Sequence, residues 1–175
     1  MGYTHYWTRP AELNRERFKR FTLDVARVID HAAASLTLTG PDDDIDGRAE
    51  PSAPLISPDV IIFNGGAYPQ GHEDLVIEQV YTPPAHAPLE PRPVERCKTE
   101  RKPYDLAVVA TLIIFAHHFP DASVTSDGDR EDWVAGLALV ERVLGYGSIP
   151  PQITPRPVKQ ESPHDQGPDL FDDAH

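Results

Sequence analysis

Cysteine is nearly absent from the chain: Cys97 is the single one in 175 residues. That excludes an intrachain disulfide and any Cys-rich zinc site, and it fits a reducing compartment. Long apolar runs are also missing. The longest, Leu106 to Ala116, is about half of what a bilayer span needs. The start, Met1-Gly2-Tyr3-Thr4-His5-Tyr6-Trp7, lacks the basic and apolar regions of a secretory signal, so a cytoplasmic protein is expected. Basic residues are scarce, with 16 Lys and Arg against 28 Asp and Glu and a net charge of -12. Wrapping DNA by bulk charge is thereby disfavoured, while local basic sites stay open. The length and a 39% hydrophobic content match one soluble domain with a modest core.

Proline, by contrast, is abundant, with 19 residues that fall between the periodic segments. Pro41 to Pro58, including Asp42-Asp43-Asp44-Ile45-Asp46, reads as an acidic loop, and Pro83 to Pro93 as a loop that is partly polyproline II. From Ser148 onward, prolines recur without apolar periodicity. Such a stretch cannot bury enough surface to offset its ordering entropy, so residues 148–175 are expected to be a disordered tail on a single domain of residues 1–147.

Between the breaks, Tyr3 to Thr8 reads as a strand, and Phe18, Phe21, Val25, Val28, Ile29 and Ala32 recur at helical spacing. Short β-type runs follow at Leu36 to Thr39, Val60 to Asn64 and Leu75 to Tyr81. Pro103 suits the first turn of a second helix, whose body Leu106 to Phe115 is apolar nearly all round and therefore central. A strand at Ser123 to Ser126 and a helix from about Glu131 to Leu144 complete the order β-α-β-β-β-α-β-α. The expected fold is α+β, with a small antiparallel or mixed sheet packed against about three helices.

The most unusual internal segment is Arg96-Cys97-Lys98-Thr99-Glu100-Arg101-Lys102-Pro103-Tyr104-Asp105, where basic residues cluster just before a helix. Cations there oppose the helix dipole unless an anion answers both. Free amides of the first turn, Arg101 as a forked donor and Lys98 or Lys102 as point charges would suit a phosphate. Arg96, Thr99, Tyr104 and Asn64 complete the expected ligand-binding set. Pairing of these cations with surface carboxylates is the plainer alternative.

Tyr3, His5, Asn64-Gly65 and Ser126-Asp127-Gly128-Asp129 lie at expected strand ends, and would form a pocket if those ends met near Pro103. Asn64-Gly65 also suits a tight turn, and Asp129 suits an N-cap with Asp132 at N3. Asp127, Asp129 and Glu131 match only part of a calcium loop, so no metal is expected. Cys97 beside Lys98 and Arg101 suggests a low-pKa thiol, with His117 or His118 as a weak partner. His5, Cys97, Asp105 and Asp127 are thus the catalytic candidates, without a recognisable catalytic pair and with no expected cofactor.

Two resemblances add to this. Met1 to Trp7, Phe63-Asn64-Gly65, Cys97 to Asp105 and Ser126-Asp127-Gly128 resemble a family of uncharacterised proteins from bacteria and their phages, over roughly residues 1–145. The resemblance supports the choice of positions and implies no reaction. Near the C-terminus, Gln166, Asp169, Leu170 and Phe171 resemble the bacterial sliding-clamp-binding peptide, in the six-residue spacing of the clamp loader's delta subunit. That resemblance implies a Leu-Phe pair filling an apolar pocket on the clamp and a glutamine making polar contacts. Two large apolar side chains on a tether are a sound physical basis for such capture.

The sequence therefore leads to an accessory binding protein that holds a nucleotide or nucleic-acid end at Arg96 to Tyr104 and is recruited to the sliding clamp, in replication or repair. Two alternatives stand beside it: an enzyme acting on nucleotides or nucleic-acid phosphates, and a phage or mobile-element inhibitor of clamp-dependent replication.

Overall fold

The computed structural model describes residues 2–41, 52–67 and 69–155. The acidic loop Asp42 to Asp46 and the clamp-like residues Gln166, Asp169, Leu170 and Phe171 lie outside the described residues. The fold is α+β, in the order β1 (Thr4–Thr8), α1 (Arg15–Ala32), β2 (Leu55–Ile56), β3 (Val60–Phe63), β4 (Leu75–Glu78), β5 (Val94–Lys98), α2 (Asp105–His118), β6 (Ser123–Ser126), a 3-10 turn (Glu131–Trp133), α3 (Val134–Leu144) and β7 (Ile153–Pro155). A mixed four-stranded sheet runs β5-β1-β6-β7, and an antiparallel three-stranded sheet runs β2-β3-β4.

Helix α2 is the centre of the core. Every residue from Ala107 to Ala116 is buried, because a helix without a polar stripe is stable only when covered on several sides. Helix α1 covers one side with Phe18, Phe21, Val25 and Val28, and starts where the Asn14 side chain accepts the Arg17 amide. Helix α3 covers another by close approach: a Cβ on Gly136 would lie 2.4 Å from Val109 Cγ1. Ile61, Phe63, Leu75 and Ile77 bring the smaller sheet onto the same core.

Register sorts the larger sheet into two faces. Trp7 opposes Glu95 and Val124, and His5 opposes Cys97 and Ser126; all face the helices. The alternate positions face away from them: Thr4, Tyr6 and Thr8 on β1, Val94, Arg96 and Lys98 on β5, Ser123 and Thr125 on β6, and Thr154 on β7.

Three sequence expectations change. Leu36 to Thr39 forms only an isolated bridge from Thr39 to Asn64 rather than a strand. Arg96-Cys97-Lys98 is part of strand β5 rather than the approach to a helix. Residues 148–155, expected in the tail, are folded: Ile149 packs against the core, Ile153 is buried, and β7 pairs parallel to β6. Proline does not prevent this, since β7 is an edge strand and Pro155 sits at its end.

Candidate functional site

Strand β5 leaves the sheet at Lys98 and reaches α2 through a tight turn, Thr99 to Lys102, closed by the Lys102 amide donating to the Thr99 carbonyl at 3.0 Å. Its central residues, Glu100 and Arg101, hold φ of 51° and 57°. Left-handed backbone at two successive non-glycine residues costs roughly 1–2 kcal/mol each, and strain of this kind concentrates at functional sites. The turn is docked on the start of β1, because the Thr99 and Glu100 amides both donate to the Tyr3 carbonyl.

This docking brings together residues far apart in sequence. His5 Nε2 lies 2.8 Å from Asp105 Oδ1, and the Thr99 hydroxyl donates to the same oxygen at 2.6 Å. Asp105 thus occupies the start of α2 with its own carboxylate, which favours the helix dipole. Tyr3 and Trp133 meet the His5 ring edge-on, with centroids 5.1 and 5.6 Å away. Arg101 lies 4.2 Å above the Tyr3 ring and ion-pairs with Asp132. Burial, with help from Asp105 and Asp132, pushes the Tyr3 phenol up, so it stays protonated. Gly128 is required here: a Cβ would lie 2.5 Å from the Tyr3 hydroxyl.

Three buried polar atoms in this cluster, Tyr3 Oη, His5 Nδ1 and Trp133 Nε1, have no hydrogen-bond partner of ordinary geometry among the described residues. The Ser126 hydroxyl, which accepts the Gly128 amide, is near enough to Tyr3 to oppose the upward shift of its phenol.

The sequence-predicted set therefore divides. Tyr3, His5, Asp105 and the Ser126-Asp127-Gly128 strand end do meet near Pro103; the Asp127 amide donates to the Thr4 carbonyl. Asp129 and Asp132 each accept the other's amide at the 3-10 turn, whereas α3 itself begins at Val134 without the expected side-chain cap. Asn64 and Tyr104 hold a loop instead of facing a ligand. The Asn64 side chain bonds to His72 and Asp74 and accepts the Gly65 amide, and buried Tyr104 donates to the Glu73 carbonyl at 2.7 Å. The cations separate as well. Arg96 and Lys98 point from the open face of the sheet, while Arg101 lies over Tyr3.

Two chemical expectations are corrected. The first-turn amides of α2 do not form a phosphate cradle, because those of Asp105 and Ala107 already donate to the Lys102 and Tyr104 carbonyls. Cys97 is not a low-pKa thiol: it is buried, points away from Lys98 and Arg101, and burial pushes it up. A pairing of Cys97 with His117 or His118 is excluded too, since both lie at the far end of α2, about 20 Å along the helix from its start. His118 is engaged instead with Asp24, 2.8 Å away. No group of three or more potential metal ligands occurs among the described residues.

The paired cations remain exchangeable. Lys98 reaches Glu100 at 2.9 Å, which also lies 3.2 Å from His72, and Arg101 reaches Asp132. Lys98 is held above the ordinary lysine range by its bond to Glu100, and Glu100 below the ordinary carboxylate range by the same bond. Arg101 is exposed and the Lys98, Glu100 and Asp132 side chains are half-buried, and ion pairs near solvent are weak. An open groove of about 610 Å³ between the end of α1 and α3, lined by Asp30, His31, Leu106 and Arg142 among others, contains none of the predicted site residues.

No helix of the described residues is long and apolar enough to cross a membrane. In comparisons with family models, curated proteins and solved structures, nothing matches the chain.

Proposed function

We propose that the chain is an accessory binding protein whose folded part holds a phosphate-bearing ligand, a nucleotide or a nucleic-acid end, and whose C-terminal peptide docks on the bacterial DNA sliding clamp. The observation that carries the first half is the left-handed pair Glu100 and Arg101. A glycine at either position would relieve the strain, yet each position carries a charged side chain held in an exposed ion pair. A phosphate bridging Arg101 and Lys102 would replace the Asp132 carboxylate with an anion of higher charge and more acceptor oxygens. The Tyr3 face beneath Arg101 would keep the guanidinium in place.

Support for the second half is the peptide itself, Gln166, Asp169, Leu170 and Phe171, which follows the last strand of the fold. The enzyme alternative is weaker, because His5 is fully buried with Nε2 committed to Asp105, and Cys97 is sealed in the core.

The phosphate half is tested by thermal unfolding with inorganic phosphate, pyrophosphate, ADP and a 5′-phosphorylated oligonucleotide. A ligand at about 100 times its Kd stabilises the native state by about 2.7 kcal/mol, which is read as a rise in Tm. The rise is expected for the native chain and absent from an Arg101→Ala, Lys102→Ala variant. No rise with any of the four, or an equal rise in the variant, contradicts the assignment.

A further inference from the structure

On the face of the four-stranded sheet that points away from the helices, Thr4 is buried, Tyr6, Thr8 and Lys98 are half-buried, and Val94, Arg96, Ser123, Thr125 and Thr154 are exposed. Tyr6 sits at the middle of β1, directly opposite Arg96 on one side and Thr125 on the other. Neither the Tyr6 side chain nor the Arg96 guanidinium makes a hydrogen bond, ion pair or ring contact with another side chain among the described residues. Arg96 is exposed, with no carboxylate beside it on this face among the described residues. The reason is local: none of the outward positions on the four strands is Asp or Glu. Lys98 adds a second cation two residues along β5, paired at the rim with Glu100. The remaining outward positions are mostly hydroxyls, including Thr8, which bonds to Ser123 at 2.6 Å.

We propose that this face binds single-stranded nucleic acid, with Tyr6 as the stacking surface for a base and Arg96 and Lys98 as backbone contacts. The chemistry is that of an aromatic side chain on a sheet flanked by cations, which accepts any base through its π-face and follows the phosphates by charge. A hydroxyl-rich surface with only Tyr6 and Val94 as large apolar groups lacks the apolar centre a stable protein–protein interface needs. Two cations on a strongly acidic chain are too few to hold a duplex by its backbone alone. This surface adjoins the turn at Arg101 and Lys102 through the Lys98–Glu100 pair, while Tyr6 and Arg96 lie outside that turn. The proposal shares with the proposed function only the class of ligand, and either can fail without the other.

The experiment is fluorescence anisotropy of the full chain with labelled 15-mers, oligo-dT, oligo-rU and a duplex, at 50 and 200 mM salt. Both single strands are expected to bind more tightly than the duplex. The fourfold rise in salt is expected to weaken binding roughly sevenfold, the slope for two phosphates on a single strand. Arg96→Glu is expected to lose at least about tenfold in affinity, and Tyr6→Leu about five- to tenfold, the effect of removing one stacking partner. Arg15→Ala, which removes an exposed cation outside both surfaces, retains binding. Thr125→Glu, at an exposed position, gives a second test should Tyr6→Leu disturb the strand. Four results would each overturn the proposal: no binding at 50 mM salt, native affinity in both Arg96→Glu and Thr125→Glu, loss confined to the Arg101 and Lys102 variant, or sedimentation showing that this face is covered by a second copy of the chain.

Discussion

Removing the Asp105 carboxylate is expected to cost more stability than any exposed charge in the chain. Asp105 Oδ1 accepts from His5 at 2.8 Å and from Thr99 at 2.6 Å, with the His5 side chain fully buried and Asp105 16% exposed. A hydrogen bond to a charged group is worth about 1.5–3 kcal/mol, and an orphaned buried donor costs about as much. In Asp105→Ala, His5 keeps two buried nitrogens and no partner, since Nδ1 already has none, and α2 loses the anion at its start. The sum is about 3–5 kcal/mol, a large part of the 5–15 kcal/mol that holds a typical domain together. For a chain of this length each kcal/mol is about 2–4 °C in Tm, so a fall of about 6–20 °C is expected. Asp105→Asn keeps an acceptor oxygen and is expected to lose about half as much. Urea unfolding followed by far-UV circular dichroism gives both values. A loss under about 1 kcal/mol in Asp105→Ala, or an Asn variant no better than the Ala variant, would refute the idea that this carboxylate pins β1 and the turn to α2.

Three further outcomes follow from the core. Gly136→Ala overpacks α2 against α3, because the new Cβ would lie 2.4 Å from Val109 Cγ1; a net loss of about 1 kcal/mol is expected after the gain in helix propensity, and calorimetry should show Val109→Ala in the same chain reversing part of it. Arg9 is fully buried and bonded to Glu95 at 2.6 Å, so Arg9→Ala leaves a largely covered carboxylate with only the Trp7 indole as partner and is expected to cost about 3 kcal/mol in denaturant unfolding, well beyond what the exposed Arg15→Ala costs. Glu95 itself is raised above the ordinary glutamate range, chiefly by burial. A carboxyl that binds its proton more tightly when folded adds stability as pH falls through its raised pKa and loses it as pH rises. The stability of the native chain relative to Glu95→Gln should therefore increase from pH 7 towards pH 4.5, and a flat difference would contradict the shift.

Much of this architecture was legible in the residues. The 3.6 period of Phe18, Phe21, Val25 and Val28 located α1, and the unbroken apolar run after Pro103 located α2 and its burial. The pairing of Asp129 with Asp132 was readable from spacing, though it falls at the 3-10 turn rather than at the start of α3. Strand β5 is masked in the sequence because its outward residues, Arg96 and Lys98, look like a basic cluster and its inward Glu95 looks exposed. Only the Arg9 and Trp7 partners, supplied by β1, make a carboxylate tolerable there. The alternation Val94-Glu95-Arg96-Cys97-Lys98 was the available signal, and it would have separated the two groups of cations. Strand β7 hides behind prolines that an edge position tolerates. The meeting of His5 with Asp105 spans 100 positions, so no local pattern could indicate it; it depends on β1 being central in the sheet.

The central claim, an accessory protein delivered to the replication machinery by its C-terminal peptide, is tested most directly by calorimetry of the intact chain with purified bacterial sliding clamp. Micromolar binding that disappears in a Leu170→Ala, Phe171→Ala variant is the expected result. No heat of binding from the intact chain, under conditions where a known clamp peptide binds, would contradict it.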